Sequence, residues 1–138
     1  MKKVFIAVFA LISMSACAQK NDIPAAAKTA FAKAYPTVSK PTWEKEDGNF
    51  EASFEKDGQQ LSVIYNAKGE MLESEVEIKV TGLPATVADY MKLHYKGITI
   101  KSAAKITKSN GTVNYEAGIK GKDVLFDAAG KFLKEAKD

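Results

Sequence analysis

The stretch Asn49-Phe50-Glu51-Ala52-Ser53-Phe54-Glu55-Lys56-Asp57-Gly58-Gln59-Gln60-Leu61-Ser62-Val63-Ile64-Tyr65-Asn66-Ala67-Lys68-Gly69 decides the fold. Phe50, Ala52 and Phe54 alternate with Glu51, Ser53 and Glu55, the period of two expected of a strand with one buried face. Asp57-Gly58 is a tight hairpin turn, and Leu61, Val63 and Tyr65 resume the apolar set on the returning strand. Asn66-Ala67-Lys68-Gly69 makes a second turn, after which Leu72, Ser74, Val76, Ile78 and Val80 interleave with Glu73, Glu75 and Glu77. Upstream, Pro41 to Glu46 reads as an earlier strand carrying Trp43, turned by Asp47-Gly48. These strands predict a four-stranded antiparallel meander.

The same plan recurs further along. Ile23-Pro24-Ala25 lies on Leu83-Pro84-Ala85 at an offset of 60 residues, Asn49-Phe50-Glu51-Ala52 on Asn114-Tyr115-Glu116-Ala117 at 65, and Tyr65-Asn66-Ala67-Lys68-Gly69 on Phe126-Asp127-Ala128-Ala129-Gly130 at 61. A drifting offset places insertions between matched blocks, where loops tolerate them. Each unit opens with a helix: Pro24 and Pro84 suit a first helical position, where the missing N–H costs nothing. Ala27, Ala30, Phe31, Ala34 and Tyr35 then share one helical face, as do Val87, Tyr90, Met91, His94 and Tyr95. Pro36 and Gly97 close the two helices. In the second unit a strand is expected from about Ile98 to Thr107, followed by a turn at Asn110-Gly111, then strands through Val113 to Ile119 and through Val124 and Phe126, turned by Gly121 and Gly130. The expected fold is α+β, with residues 19–80 and 81–138 as two tandem helix-plus-meander units. Joined edge to edge, they would form one extended sheet with both helices on one face and their apolar sides merged into a continuous interior. Glu51, Ser53 and Glu55 would point to the open side and are the candidate partner-binding residues.

Composition and termini bound the setting. Lys2 and Lys3 precede an apolar run from Val4 to Met14, too short for the roughly 20 residues that cross a bilayer, and read as an export leader. Two processing readings stand side by side. Residues 1–18 form a signal peptide cleaved after Ala16-Cys17-Ala18, or residues 1–16 form a lipoprotein leader and Cys17 is the lipid attachment site. Either way the protein is expected outside the cytoplasm, in the periplasm or beyond, and meets a membrane only through that lipid. Cys17 is the only cysteine, so the domain has no internal disulfide. The formal charge is +3 with no arginine, and loss of Lys2 and Lys3 brings it to about +1. Nucleic acid is disfavoured as a partner, because the guanidinium forks that grip phosphate and guanine are missing.

No catalytic constellation is expected, and no cofactor. His94 is the only histidine; it falls on the packed stripe of the second helix, without the Cys or His companions that zinc requires. No glycine-rich phosphate loop occurs. Glu73, Glu75 and Glu77, with Glu44, Glu46 and Asp47, are dense enough to raise a hard cation. Carboxylates two apart on a strand stand about 7 Å from one another, and cross-strand lysines can neutralise them, so a solvated face is the expectation. A cation- or small-ligand-sensing domain using these carboxylates is the alternative to a protein-binding one.

The repeated Ile/Leu-Pro helix start, Tyr35 and Tyr95 at the helix ends, the Asn/Asp-Ala-x-Gly turns and Trp43-Glu44-Lys45-Glu46-Asp47-Gly48 resemble the bacterial PepSY-like domains of beta-lactamase-inhibitor-like fold. The resemblance covers nearly all of the chain after the leader. It implies a curved antiparallel sheet with helices outside, a concave face able to hold a protein surface, and an envelope location. The chain departs from the inhibitor proper in lacking disulfide cysteines, and no inhibitory loop matches residue by residue, so inhibition of a beta-lactamase is not carried over. The expectation is a non-catalytic, inhibitor-like module contacting an unidentified protein or peptide of the envelope.

Overall fold

The computed structural model describes residues 22–137; the leader and Cys17 lie outside them. Helix α1 (Ala25–Ala34) is followed by β1 (Thr42–Glu46), β2 (Asn49–Lys56), β3 (Gln59–Tyr65) and β4 (Met71–Ile78). A 3-10 turn at Val80–Gly82 leads to α2 (Ala85–His94), then β5 (Ser102–Lys108), β6 (Val113–Ile119), β7 (Lys122–Asp127) and β8 (Phe132–Lys137). All eight strands form a single antiparallel sheet in chain order. The join between the halves is the β4–β5 pairing, where Glu75 stands opposite Ile106 and Val76 opposite Lys105.

Local chemistry accounts for the elements. Asp47-Gly48 and Asp57-Gly58 both have positive φ at each residue, the backbone that lets a two-residue turn follow the twist of its strands. The turns after β3 and β7 are built alike. Asn66 Oδ1 accepts from the backbone of Lys68 and Glu70 at 2.9 and 3.0 Å, and Asp127 Oδ1 from Ala129 and Lys131, both at 2.9 Å. Each ends in a glycine tucked under a helix start. A Cβ on Gly69 would lie 2.6 Å from the Ala26 carbonyl oxygen, and one on Gly130 would lie 2.7 Å from the Thr86 Cβ; both glycines have φ of +81°.

The register places both helices on the same side. Phe54 stands opposite Leu61, Leu61 opposite Val76, and Val76 opposite Lys105. The row continues through Tyr115, Phe126 and Phe132. Residues directly opposite share a face, so this row runs along one side of the whole sheet. Phe31 of α1 packs edge-on to Phe54 at 5.0 Å and to Trp43 at 5.6 Å. Tyr90 of α2 meets Phe126 edge-on at 5.4 Å and stacks on Phe132 at 5.3 Å. Such pairs add about 0.5–1.5 kcal/mol each beyond area burial.

Four details differ from the sequence expectation. The interior is divided: Ile23, Ala27, Phe31, Phe50, Ala52, Phe54, Val63 and Tyr65 form one cluster, while Leu83, Val87, Met91, Ala103, Ala117, Ile119, Val124 and Phe126 form another. Between them the helix-side row carries Ser74, Lys105 and Thr107, residues too polar to continue an apolar core. Pro24 and Pro84 occupy the capping position just before each helix, with φ −55° and −53° and extended ψ. Val80 leaves β4 for the 3-10 turn and is exposed, and that turn delivers buried Leu83 to the start of α2. Strand β5 begins at Ser102 because Gly97, at φ +74°, turns the chain out of the helix and leaves Ile98 exposed.

Candidate functional site

The face opposite the helices carries the other residue of each pair. Strand β2 presents Glu51 and Ser53; β3 presents Ser62 and Ile64, which stand opposite Glu75 and Glu73 of β4. Strand β5 adds Ala104, Ile106 and Lys108, β6 adds Asn114, Glu116 and Gly118, β7 adds Asp123 and Leu125, and β8 adds Lys134. This face is concave. A cavity of about 110 Å³ is bordered at once by Glu73 of β4, Ile106 and Lys108 of β5, and Leu133 and Lys134 of β8. Strands β4 and β8 are four strand spacings apart, roughly 19 Å in a flat sheet, so only a curled sheet brings their side chains to one hollow.

The curl changes the state of the carboxylates. Glu51, Glu116 and Asp123 are only 4 %, 3 % and 1 % exposed, and Glu75 is half-buried. Burial pushes the Glu75 carboxyl up to about 8, aided in turn by the negative charges of Glu51, Glu73, Asp123 and Glu77. Glu73 is also raised by burial, which outweighs the opposing pull of Lys108 and Lys134. Desolvation disfavours the charged form of an acid, and like charges add to it. Gly118 makes room for this packing: a Cβ there would run into the Ser102 hydroxyl and lie 3.4 Å from Asp123 Oδ1, its partner in the ladder.

Glu51, Ser53 and Glu55 all point away from the helices by register, but they differ in access. Glu55 is exposed, Ser53 half-buried and Glu51 buried, and none of the three borders the cavity. The expectation of a solvated carboxylate face is corrected: Glu77 is exposed, whereas Glu73 and Glu75 are drawn inward, because strand alternation says nothing of sheet curvature. Among the described residues, no three acidic, histidine or cysteine side chains are arranged to hold a metal ion. His94 is exposed on α2 and stacks on Tyr90 at 4.1 Å between ring centres, on the helix side of the sheet and away from the carboxylates. The concave face thus offers charge, amide and apolar contacts: Asn114 and Leu125 complete the wall of the hollow, and Leu133 is 47 % exposed at its edge.

Glu116 and Asp123 were not among the sequence candidates. Glu116 had a legible signal, since it aligns with Glu51 and sits between Tyr115 and Ala117 as Glu51 sits between Phe50 and Ala52. Asp123 follows a turn glycine, Gly121, and looks like ordinary turn polarity until the ladder pairs it with Gly118.

Away from the hollow, the Tyr95 hydroxyl donates to Glu135, which also pairs with Lys122 at 2.9 Å. These bonds, the tyrosine's first, hold the Glu135 carboxyl below its ordinary value. They tie the end of α2 to β8.

No family model matches the sequence, and neither does any curated protein. Solved structures do. A protein of Bacteroides eggerthii described as periplasmic has a TM-score of 0.70 at 17 % identity, over 83 % of this chain and 88 % of that one. A protein of Bacteroides uniformis from a family of unknown function scores 0.69 at 18 % identity, over 83 % and 88 %. A BLIP-like protein of Bacteroides fragilis scores 0.65 at 24 % identity, over 83 % and 86 %. Over the described residues the fold is therefore the BLIP-like α+β fold, an eight-stranded antiparallel open sheet with two helices.

Proposed function

We propose that the chain is a non-catalytic binding module of the bacterial envelope, which contacts a protein or peptide across the concave face. The observation that carries this reading is the one-sidedness of the molecule. Both helices lie on one side of the sheet, and the other side is curled, with a small hollow and a charged rim. Concave surfaces with a few convergent polar groups over apolar walls are where proteins hold ligands. The export leader read from Lys2 to Met14 and the periplasmic description of a protein of like fold support the envelope assignment. The tandem alignment of Ile23–Leu72 with Leu83–Leu133 supports descent from a duplicated PepSY-like unit, and the separate apolar cluster under each helix accords with it.

The test is affinity capture from envelope extracts with the mature domain, followed by titration of the recovered protein. Glu55→Lys, at an exposed position on the side away from the helices, is expected to weaken saturable binding about tenfold, the effect of losing roughly 1.4 kcal/mol of charge complementarity. Lys105→Glu on the helix side should leave binding unchanged. If the two variants lose affinity equally, or no saturable partner is recovered under several growth conditions, the reading fails.

A further inference from the structure

We propose that the hollow on the concave face is a socket for the C-terminal residue of a partner polypeptide, one with a short aliphatic side chain; this rests on the binding-module reading above and names the group that is held. Asn114 is the observation that points to a ligand. It is 7 % exposed and borders the hollow, yet its side-chain amide forms no hydrogen bond with any described residue. A buried amide without a partner is costly, and a ligand in the hollow can satisfy it. Lys108 and Glu73 border the same space and stand opposite one another across the β4–β5 ladder. Their charges attract, but among the described residues neither side chain closes an ion pair or a hydrogen bond. Both therefore have bonding capacity to spare for what enters the hollow.

Volume and chemistry select the occupant. At about 110 Å³ the hollow is smaller than the roughly 300–1,000 Å³ of small-molecule pockets and below the ~150 Å³ that takes benzene, so it admits a single residue and no extended ligand. Ile106 and Leu125 supply an apolar wall, and Leu133, 47 % exposed, adds apolar surface still open to be covered. A chain end carries three complementary groups on one residue, and terminal carboxylates are a recurring target of recognition. Its carboxylate meets the Lys108 ammonium and accepts from the Asn114 amide N–H, the charge-assisted kind of contact that is strongest. Its backbone N–H donates to Glu73, and its side chain lies on Ile106, Leu125 and Leu133. An internal aspartate or glutamate brings its anion on the side chain and leaves nothing to fill the apolar wall. Lys134 also borders the hollow but is already engaged within the protein, so it has no assigned part in holding the ligand.

The test is an NMR titration of the mature protein with four probes: the tripeptide Gly-Gly-Leu, its C-terminal amide, free leucine, and the blocked peptide acetyl-Gly-Glu-Gly-amide. The acid tripeptide should give saturable shifts centred on Lys108, Asn114 and Leu133, and its amide should bind about tenfold more weakly. Lys108→Gln should weaken the acid by a similar factor and leave the amide unchanged, whereas Lys105→Glu on the helix side should alter neither. Equal binding of acid and amide overturns the chain-end reading, and so does free leucine or the internal-glutamate peptide binding as tightly as the acid. These wild-type comparisons decide the matter alone should Lys108→Gln fail to fold. Absence of saturable shifts around the hollow with the acid overturns it as well. Failure here is separable from failure of the broader reading: a captured envelope partner that loses affinity to Glu55→Lys, yet binds equally with its own C-terminus amidated, leaves the module standing and removes the socket.

Discussion

The two sides of this sheet are made from the same strands, yet they are stabilised in different ways. On the helix side Phe126, Val124 and Val63 meet aromatic and aliphatic neighbours and are 0–1 % exposed. On the concave side Ile106 and Leu125 are buried almost as fully, at 1 % and 3 %, among Glu51, Glu116 and Asp123. The first is a core whose stability comes from apolar area and packing. The second is a crease, buried by curvature instead of by a covering layer, in which burial raises the carboxyls of Glu73 and Glu75 above their ordinary range. Burial alone does not distinguish them; the carboxylates on the concave side do.

The largest expected effect is on the helix side. Phe126→Ala removes a ring packed against Tyr90 and Phe132 and should cost about 3–5 kcal/mol in urea unfolding, with little dependence on pH. Ile106→Ala sharpens the contrast: an exposed strand position would change by less than about 0.5 kcal/mol, whereas burial in the crease predicts a loss of about 2–4 kcal/mol. A small loss there would show that the concave face is open surface. Gly130→Ala probes how the second meander is seated under α2. It forces a side chain into positive φ and against Thr86, for a loss of about 2 kcal/mol; an unchanged midpoint would mean the turn is not seated there. The smallest change is Tyr95→Phe, which deletes the solvent-exposed bond to Glu135 and should barely move the unfolding midpoint. Glu135 is then released toward ordinary carboxylate behaviour, visible as an upward move of its titration midpoint.

Alternation made the sidedness legible. Along β2, β3, β4, β6 and β7 the apolar parity read from the sequence is the parity that faces the helices, whereas β5 carries Ile106 on the other side. The turns were legible for the same reason, since Asp57-Gly58 and Asn66-Ala67-Lys68-Gly69 name their own backbone conformations. Curvature was implied by the family resemblance but was not legible in the alternation, because parity assigns a residue to a face and says nothing about how tightly that face bends. That is why Glu73 and Glu75 read as solvated and Glu51 as available to a partner. The division of the core was partly legible in Ser74, Lys105 and Thr107, which lie on the helix side where an apolar run would be needed to join the two halves.

The strand order has a bearing on how the chain is assembled. Seven pairings link eight strands in strict succession, and apart from the excursion through α2 between β4 and β5 every partner is the next segment along. Loop-closure entropy is small when partners are near in sequence, and low contact order favours rapid folding. A chain emerging from one end can therefore zip up as it appears, completing the cluster beneath α1 before the segment that builds the cluster beneath α2 has arrived.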